Sequence, residues 1–338
     1  MKSKVLLSRA TAHLAAMCAL QGDTPLIVDT GGVLVPGQIA LANASRFVET
    51  QFDEPLTTYA VGFRDSADLD GDLEFFAPMV QTNKRFTYKT QTNAEEFYSE
   101  TDDVRALGAA FKVVPYTGGE VEARTYNKGL TVIVDRDEMT AGWEQRTVAK
   151  LMRRLKRNDL RRAVSLLSAA ATNTAKTWDV TAGKDPDQDV MSELVTGGDA
   201  SGIVPNRIGY GLTAWQKRNL AHRAQNTAGG FASAGLTPEA LAGILGVDGV
   251  RVSKARYATS AAAKAQVVAN KVIAFNALTG ADLEDSSNIK RFVSPVFGGG
   301  LVGVYVHELG PKLVAVTVEH NSNIAITATL GIRQLTIS

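Results

Sequence analysis

Residues 141–171 read AGWEQRTVAKLMRRLKRNDLRRAVSLLSAAA, and their spacing decides the fold. Val148, Leu151, Leu155, Ala163, Leu166, Leu167 and Ala170 recur at steps of three and four, which places them on one stripe of a helix. The opposite face carries Arg146, Lys150, Arg153, Arg154, Lys156, Arg157 and Arg161. About thirty residues at a rise of ~1.5 Å extend roughly 45 Å, which is long for a compact domain and points to an architectural spine. Such a basic face serves either nucleic acid or acidic segments of the same protein. No aromatic residues interleave with the charges and no base-reading motif is present, which favours the acidic segments.

Upstream, the sequence changes character. Residues Arg46 to Tyr59 read as mixed, with Pro55 stopping any helix, and Ser66 to Glu74 (SADLDGDLE) as a polar loop. The apolar run Phe75-Phe76-Ala77-Pro78-Met79-Val80 leads into Lys84 to Lys89 (KRFTYK), which alternates as an exposed strand does. An acidic stretch holding Glu95, Glu96, Glu100, Asp102 and Asp103 follows, then a returning strand from Phe111 to Tyr116. The whole section from about 69 to 126 reads as a two-stranded arm with little apolar surface of its own. A lone hairpin is only marginally stable in water, so such an arm makes sense lying on a neighbour.

The first twenty residues (MKSKVLLSRATAHLAAMCAL) look superficially like an export signal. Arg9 and His13 break the apolar stretch that a signal needs, and Met17 precedes Cys18 where a lipoprotein site needs a small residue. A short amphipathic helix, with Cys18 as a small buried hydrophobe, is the expectation. A strand-like run from Leu26 to Val35 follows.

Downstream of the long helix, Trp178 and Asp185-Pro186 mark a loop feeding another helix. Ile208 to Gly211 reads as strand, Leu212 to Ala224 as helix, and Thr237-Pro238 as the cap and first turn of a helix through Leu245. Val250 to Val252 and part of Lys264 to Phe275 read as strands. The tail, Leu313 to Val318 and Ile324 to Ile337, alternates strongly and reads as β. The fold class is α+β.

Catalytic and metal patterns fail one by one. His13, His222, His307 and His320 show no metal-binding spacing, and Pro311 stands where a zinc-hydrolase helix would place a second His after His307. Asp185, Asp187 and Asp189 mimic the start of a calcium loop, but Val190 occupies the glycine position. That run and Asp68 to Asp72 read as solvated turns. There is no phosphate-cradling glycine loop and no nucleophile elbow, and Gly298-Gly299-Gly300 reads as a turn between strands. No catalytic site, cofactor or metal is expected. Across 338 residues, 45% are apolar, the net charge is +1 and there is one cysteine. These values exclude a disordered chain, a bulk-charge nucleic-acid coat and an internal disulfide framework, and no apolar run is long enough to span a bilayer.

The order of these parts resembles a major capsid protein of a tailed bacteriophage with the Hong Kong 97-type fold. Phe75 to Val80 with Lys84-Arg85 looks like that family's entry to its extended loop, and Ala141 to Ala171 like its spine helix. Val204 to Trp215 (VPNRIGYGLTAW) resembles the opening of its axial domain, where Leu236 to Val247 (LTPEALAGILGV) also has a counterpart. The resemblance implies an N-terminal arm (residues 1–45) and a peripheral domain (46–177) carrying the extended loop and the spine. It implies an axial domain at 178–312, and C-terminal strands at 313–338 that return to the peripheral domain. It further implies hexamers and pentamers closing an icosahedral shell around double-stranded DNA, inside a virion assembled in the host cytoplasm. The implied partners are other copies of the chain, a portal protein, the packaged DNA by non-specific contact, and decoration proteins. Many relatives carry a scaffolding segment of about a hundred residues before the arm. The start at Met1 leads to the expectation of a separate scaffolding protein. Some relatives crosslink a loop lysine to a neighbour. Lys84 and Lys89 fall in that region, but no motif identifies a partner and no crosslink is expected.

Charge partition supports self-association. Residues 47–138 carry 9 basic and 18 acidic groups, whereas residues 139–176 carry 9 and 2. An acidic arm and a basic spine suit a subunit whose main partner is another copy of itself. The expected inter-subunit contacts are Lys84, Arg85, Lys89, Glu95, Glu96, Glu100, Asp102, Asp103, Arg153, Arg154 and Arg157. Exposed pairs of this kind set register more than strength. Two other readings stay open: a nanocompartment shell of the same fold holding a protein cargo, and an α+β enzyme. Neighbouring terminase and portal genes would mark the phage, a cargo-enzyme gene the compartment, and a monodisperse monomer the enzyme.

Overall fold

The computed structural model describes residues 51–338 apart from 65–67, 91–103, 106, 109, 112, 114–118, 182, 281 and 284. The expected helix through Cys18 and strand from Leu26 to Val35 lie outside the described residues.

Helix α1 (Glu54–Gly62) begins because Asp53 accepts the Leu56 N–H at 2.8 Å. Pro55 sits in its first turn, where no N–H is needed, so it starts the helix it was expected to stop. Helix α2 (Leu69–Phe76) occupies the stretch read from sequence as a polar loop and the foot of the arm. Asp68 caps it, and Leu69, Leu73 and Phe76 fall on one face and are fully buried. Helical spacing was present there, but the acids between the apolar residues hid it.

Strand β1 (Met79–Gln81) leads to β2 (Arg85–Thr90), which pairs antiparallel with β3 (Gly119–Arg124). The strand that returns beside β2 is thus 119–124; of the expected Phe111 to Tyr116, Phe111 and Val113 are exposed and outside any strand, and the other four residues lie outside the described ones. Strand β4 (Tyr126–Asp135) follows, then the long helix α3 (Trp143–Ala170), 28 residues and about 42 Å. Next come β5 (Thr172–Lys176), α4 (Pro186–Ser201), β6 (Arg207–Gly211), α5 (Leu212–Ala224), α6 (Ala228–Ala234) and α7 (Pro238–Leu245). The remainder is β: β7 (Gly249–Ser253), β8 (Arg256–Ala258), β9 (Lys264–Gln266), β10 (Lys271–Phe275), β11 (Ile289–Ser294), β12 (Val302–Glu308), β13 (Leu313–Ile326) and β14 (Arg333–Ile337).

Two five-stranded sheets organise the chain. In the first, the 14-residue β13 is central: β4 pairs along one edge, β12 and then β11 along the other, and β1 joins β11 in parallel. The second runs β5-β14-β10-β6-β7. Consecutive residues of the second sheet alternate between two cores, as strand geometry requires. Ile273 and Phe275 pack with α2 and the far half of α3, whereas Ile208, Tyr210, Val272, Leu335 and Ile337 pack with α4, α5 and α7. Gly209 and Gly211 of β6 permit close approach, since a Cβ on Gly209 would lie 2.3 Å from the Phe76 ring. One on Gly211 would lie 1.8 Å from the Val268 and Ala269 carbonyls. The chain crosses between the sheets repeatedly: β11 and β12 join β13 in the first, and β14 closes the second.

Helix α3 serves both sheets. Val148, Leu151, Met152 and Leu155 pack with α1 against Val304, Val316 and Val318 of the first. Leu160, Ala163, Val164 and Leu167 pack with α2 against the second.

Candidate functional site

The β2–β3 hairpin is exposed at most of its positions, and its strands pair with no third strand among the described residues. It is held at one place. Phe86 and Tyr88 project onto Phe292 of β11, with ring centroids 4.5 and 5.3 Å away, joined by Val80 and Leu283. Phe292 is fully buried. Alternation puts these two aromatics on one face of β2, while Arg85, Thr87 and Lys89 fall on the other. Thr125, at the join to β4, hydrogen-bonds Ser294 at 2.6 Å beside this foot.

The long helix is held quite differently. Where it passes from one core to the next, Asp159 lies on the apolar stripe, four residues from both Leu155 and Ala163, and is 2% exposed. Lys128 of β4 and His320 of β13 face one another in register beneath it. Asp159 receives Lys128 Nζ at 3.2 Å, His320 Nε2 at 3.0 Å, Arg162 Nη1 at 2.7 Å and Ser322 Oγ at 3.3 Å. Burial works to raise the carboxyl pKa, but His320 and Lys128 outweigh it and hold Asp159 well below the usual carboxylate range. Burial pushes the Lys128 ammonium below its ordinary value, with Asp159 opposing. Sequence reading missed this clasp. Its signal was an acid at a stripe position in an otherwise basic helix.

Two more acid–base locks occupy the runs expected to be solvated turns. Asp185 caps α4, while Asp187 grips the fully buried Arg218 at Nε (2.6 Å) and Nη2 (2.7 Å) and meets His222 at 3.1 Å. Burial would raise the Asp187 pKa, but His222 and Arg218 hold it down. Asp72, 4% exposed, accepts from Arg251 Nε and Ser253 Oγ, each at 2.7 Å, and Asp68 also pairs with Arg251. Both runs became helix N-termini, where carboxylates cap N–H groups and meet cations from neighbouring elements. Among the described residues, no three His, Cys, Asp or Glu side chains are grouped to hold a metal. No helix there is long and apolar enough to cross a membrane.

The residues expected at contacts are scattered. Lys84 and Arg85 are exposed at the foot of the hairpin, and Lys89 is half-buried farther along β2. Glu95, Glu96, Glu100, Asp102 and Asp103 lie outside the described residues. On α3, the Arg153 guanidinium lies 5.3 Å from the centre of the Phe63 ring, and Arg154 is exposed. Arg157 is half-buried, with its Nε buried and lacking a hydrogen-bond partner. Part of the basic face is answered within the chain, since Lys156 pairs with Asp70 of α2 at 2.7 Å.

No protein-family model matches the chain, and no curated protein matches it in sequence. Solved structures do match. A phage-related protein from Bordetella bronchiseptica RB50 superposes with a TM-score of 0.62 at 18% identity, covering 84% of this chain and 96% of that one. A structure from Microbacterium phage Oxtober96 gives 0.51 at 11% identity, covering 88% and 99%. The mature capsid of bacteriophage PhiM1 gives 0.46 at 10%, covering 94% and 93%. At such identities the likeness shows the fold: the chain has the mixed helix-and-sheet Hong Kong 97-type fold.

Proposed function

We propose that this chain is the major capsid protein of a tailed double-stranded DNA bacteriophage. In this reading it assembles as hexamers and pentamers into an icosahedral shell around the genome. The observation that carries the reading is a fold shared with phage proteins along nearly their whole length. It is joined to a largely exposed hairpin whose two strands pair with no third strand among the described residues. In this reading the hairpin lies on an adjacent copy, where its second face and its open strand edges find partners. The first sheet with α1 and the near half of α3 forms the core of the peripheral domain. The second sheet with α4 to α7 forms the core of the axial domain, and α3 joins the two; this reading moves β5 and β14 to the axial side of the bounds expected from sequence and β11 and β12 to the peripheral side. Arg153, Arg154 and Arg157 receive acidic groups of a neighbour. Individual contacts stay weak, and the shell gains its strength from their number. A portal, a scaffolding protein and decoration proteins complete the particle, which forms in the host cytoplasm.

Negative-stain microscopy of the expressed protein tests the proposal. Closed shells of uniform size are the expected outcome. A monodisperse monomer or dimer at all concentrations, with no shells, would overturn it.

A further inference from the structure

Between Gly249 and Gly280 the sequence holds Arg251, Lys254, Arg256, Lys264 and Lys271 and not one Asp or Glu. In a chain of net charge +1 this is a local excess, bounded by Asp248 before it and Asp282 after it; Arg251 is answered by Asp68 and Asp72, which leaves the others. The fold concentrates it. Strands β8 and β9 form a small separate hairpin, so Arg256 and Lys264 stand at its two ends in register with Gln266 and Ala258. Lys254, Arg256 and Lys264 are all exposed. Among the described residues, none of these three pairs with a carboxylate; Lys264 Nζ reaches only the Ala261 carbonyl, at 3.1 Å.

A fourth cation comes from a distant part of the chain. Arg161 of α3 lays its guanidinium 3.7 Å from the centre of the Tyr257 ring, which fixes its charge beside the hairpin. Below lies an open cavity of about 600 Å³ lined by Thr213, Arg256, Lys264, Gln266, Ala269 and Asn270. Its lining is cationic or neutral throughout. Gln266 is already satisfied there, since its amide bonds the Thr213 hydroxyl at 2.8 Å and accepts the Thr213 N–H.

The chemistry of this surface selects its partner. The hairpin tip, Thr259-Ser260-Ala261-Ala262-Ala263, is exposed and small, which lets a phosphate backbone approach closely. A protein partner would need an apolar anchor at the centre, and the cations here surround Ala, Ser, Thr, Gln and Asn with one aromatic, Tyr257, whose ring Arg161 covers. Single strands are bound by stacking on aromatic faces, and the Tyr257 face is taken by Arg161. Clustered cations, close approach and no stacking platform describe sequence-independent contact with a duplex. We infer that the β8–β9 hairpin, with Arg161 beside it, is the surface through which the chain meets the phosphate backbone of double-stranded DNA. This deepens the shell reading and rests on it for the source of the duplex.

The test is titration of the full-length protein with a labelled duplex, followed by fluorescence anisotropy at salt concentrations between about 50 and 200 mM. Replacing Arg256→Ala together with Lys264→Ala should lower the slope of log affinity against log salt by about two. The exposed single substitution Lys254→Ala should lower it by about one and covers the case in which the double variant misfolds. Arg136→Ala with Lys312→Ala, beside the first sheet, should leave the slope unchanged. An unchanged slope in the hairpin variants overturns the inference. So does a synthetic peptide of residues 91–118 that binds the surface more tightly than the duplex, since it assigns the surface to acidic protein. Shells are scored separately by microscopy. Shells with no slope change remove this surface alone, whereas the slope change in a protein that never forms shells removes the capsid reading alone.

Discussion

Helix α3 and the β2–β3 hairpin are held by opposite means. The helix buries a stripe along its length, first against one sheet and then against the other, with Asp159 clasped between. The hairpin buries two aromatics at one end. The helix therefore belongs energetically to its own subunit. The rest of the hairpin is less buried, and β3 is exposed at five of its six positions; in the shell reading the order of that surface comes from a neighbour. In the shell reading, stability and assembly thus reside in different elements, and each can be perturbed alone.

The largest effect is expected from breaking the helix side of this contrast. Asp159→Ala leaves the Lys128 ammonium partly buried without a counter-charge and takes the hydrogen-bond partner from His320, and should cost about 3–5 kcal/mol in urea unfolding at pH 7. The carboxyl pKa is lower in the folded state, so its stabilisation is complete above the unfolded value near 3.9 and fades as pH falls through the folded one. The gap between wild type and variant should therefore be full at pH 7 and shrink below about pH 4. An equal gap at both pH values would show that the clasp acts by packing rather than charge.

Next in size is Phe292→Ala, which empties the site beneath Phe86 and Tyr88 and should cost about 3 kcal/mol. The more telling readout is hydrogen exchange: β2 and β3 should lose protection while α3 keeps it. Loss of protection in α3 as well would mean the two elements are coupled. Gly209→Ala should cost about 1–3 kcal/mol, because its Cβ meets the Phe76 ring and α2 must shift. Restoring room with Phe76→Leu should recover part of that loss. The smallest effect on folding, and the sharpest on assembly, is expected from Arg153, Arg154 and Arg157 all replaced by Glu. Circular dichroism should be nearly unchanged while shell yield falls and becomes salt-dependent. Normal assembly at low and high salt would remove these arginines from the contact.

The spacing of residues 141–171 made α3 legible, because a stripe of eleven buried positions in 28 residues survives a few charged intrusions. The caps at Thr237 and Pro238 and the alternation in β13 and β14 were legible for the same reason. Short elements in acid-rich sequence were not. In α2, three apolar residues carry the helix while the aspartates between them follow turn statistics, and only Arg251 and Ser253, some 180 residues away, show what those aspartates do. Pro55 misled in the same way, since a proline stops or starts a helix according to where the cap lies.

What the sequence determined by itself was local and periodic: the long helix, the strands of the tail, the absence of catalytic spacing, and a charge partition with acid upstream and base on the helix. Tertiary structure alone decided which sheet each strand joins and that Asp159 meets Lys128 and His320. It alone set Arg161 beside a basic hairpin that follows it by nearly a hundred residues. The physical reason is range. Helix and strand periodicities are written within a few residues, whereas ion pairs and shared cores depend on which distant segments the two sheets bring into register.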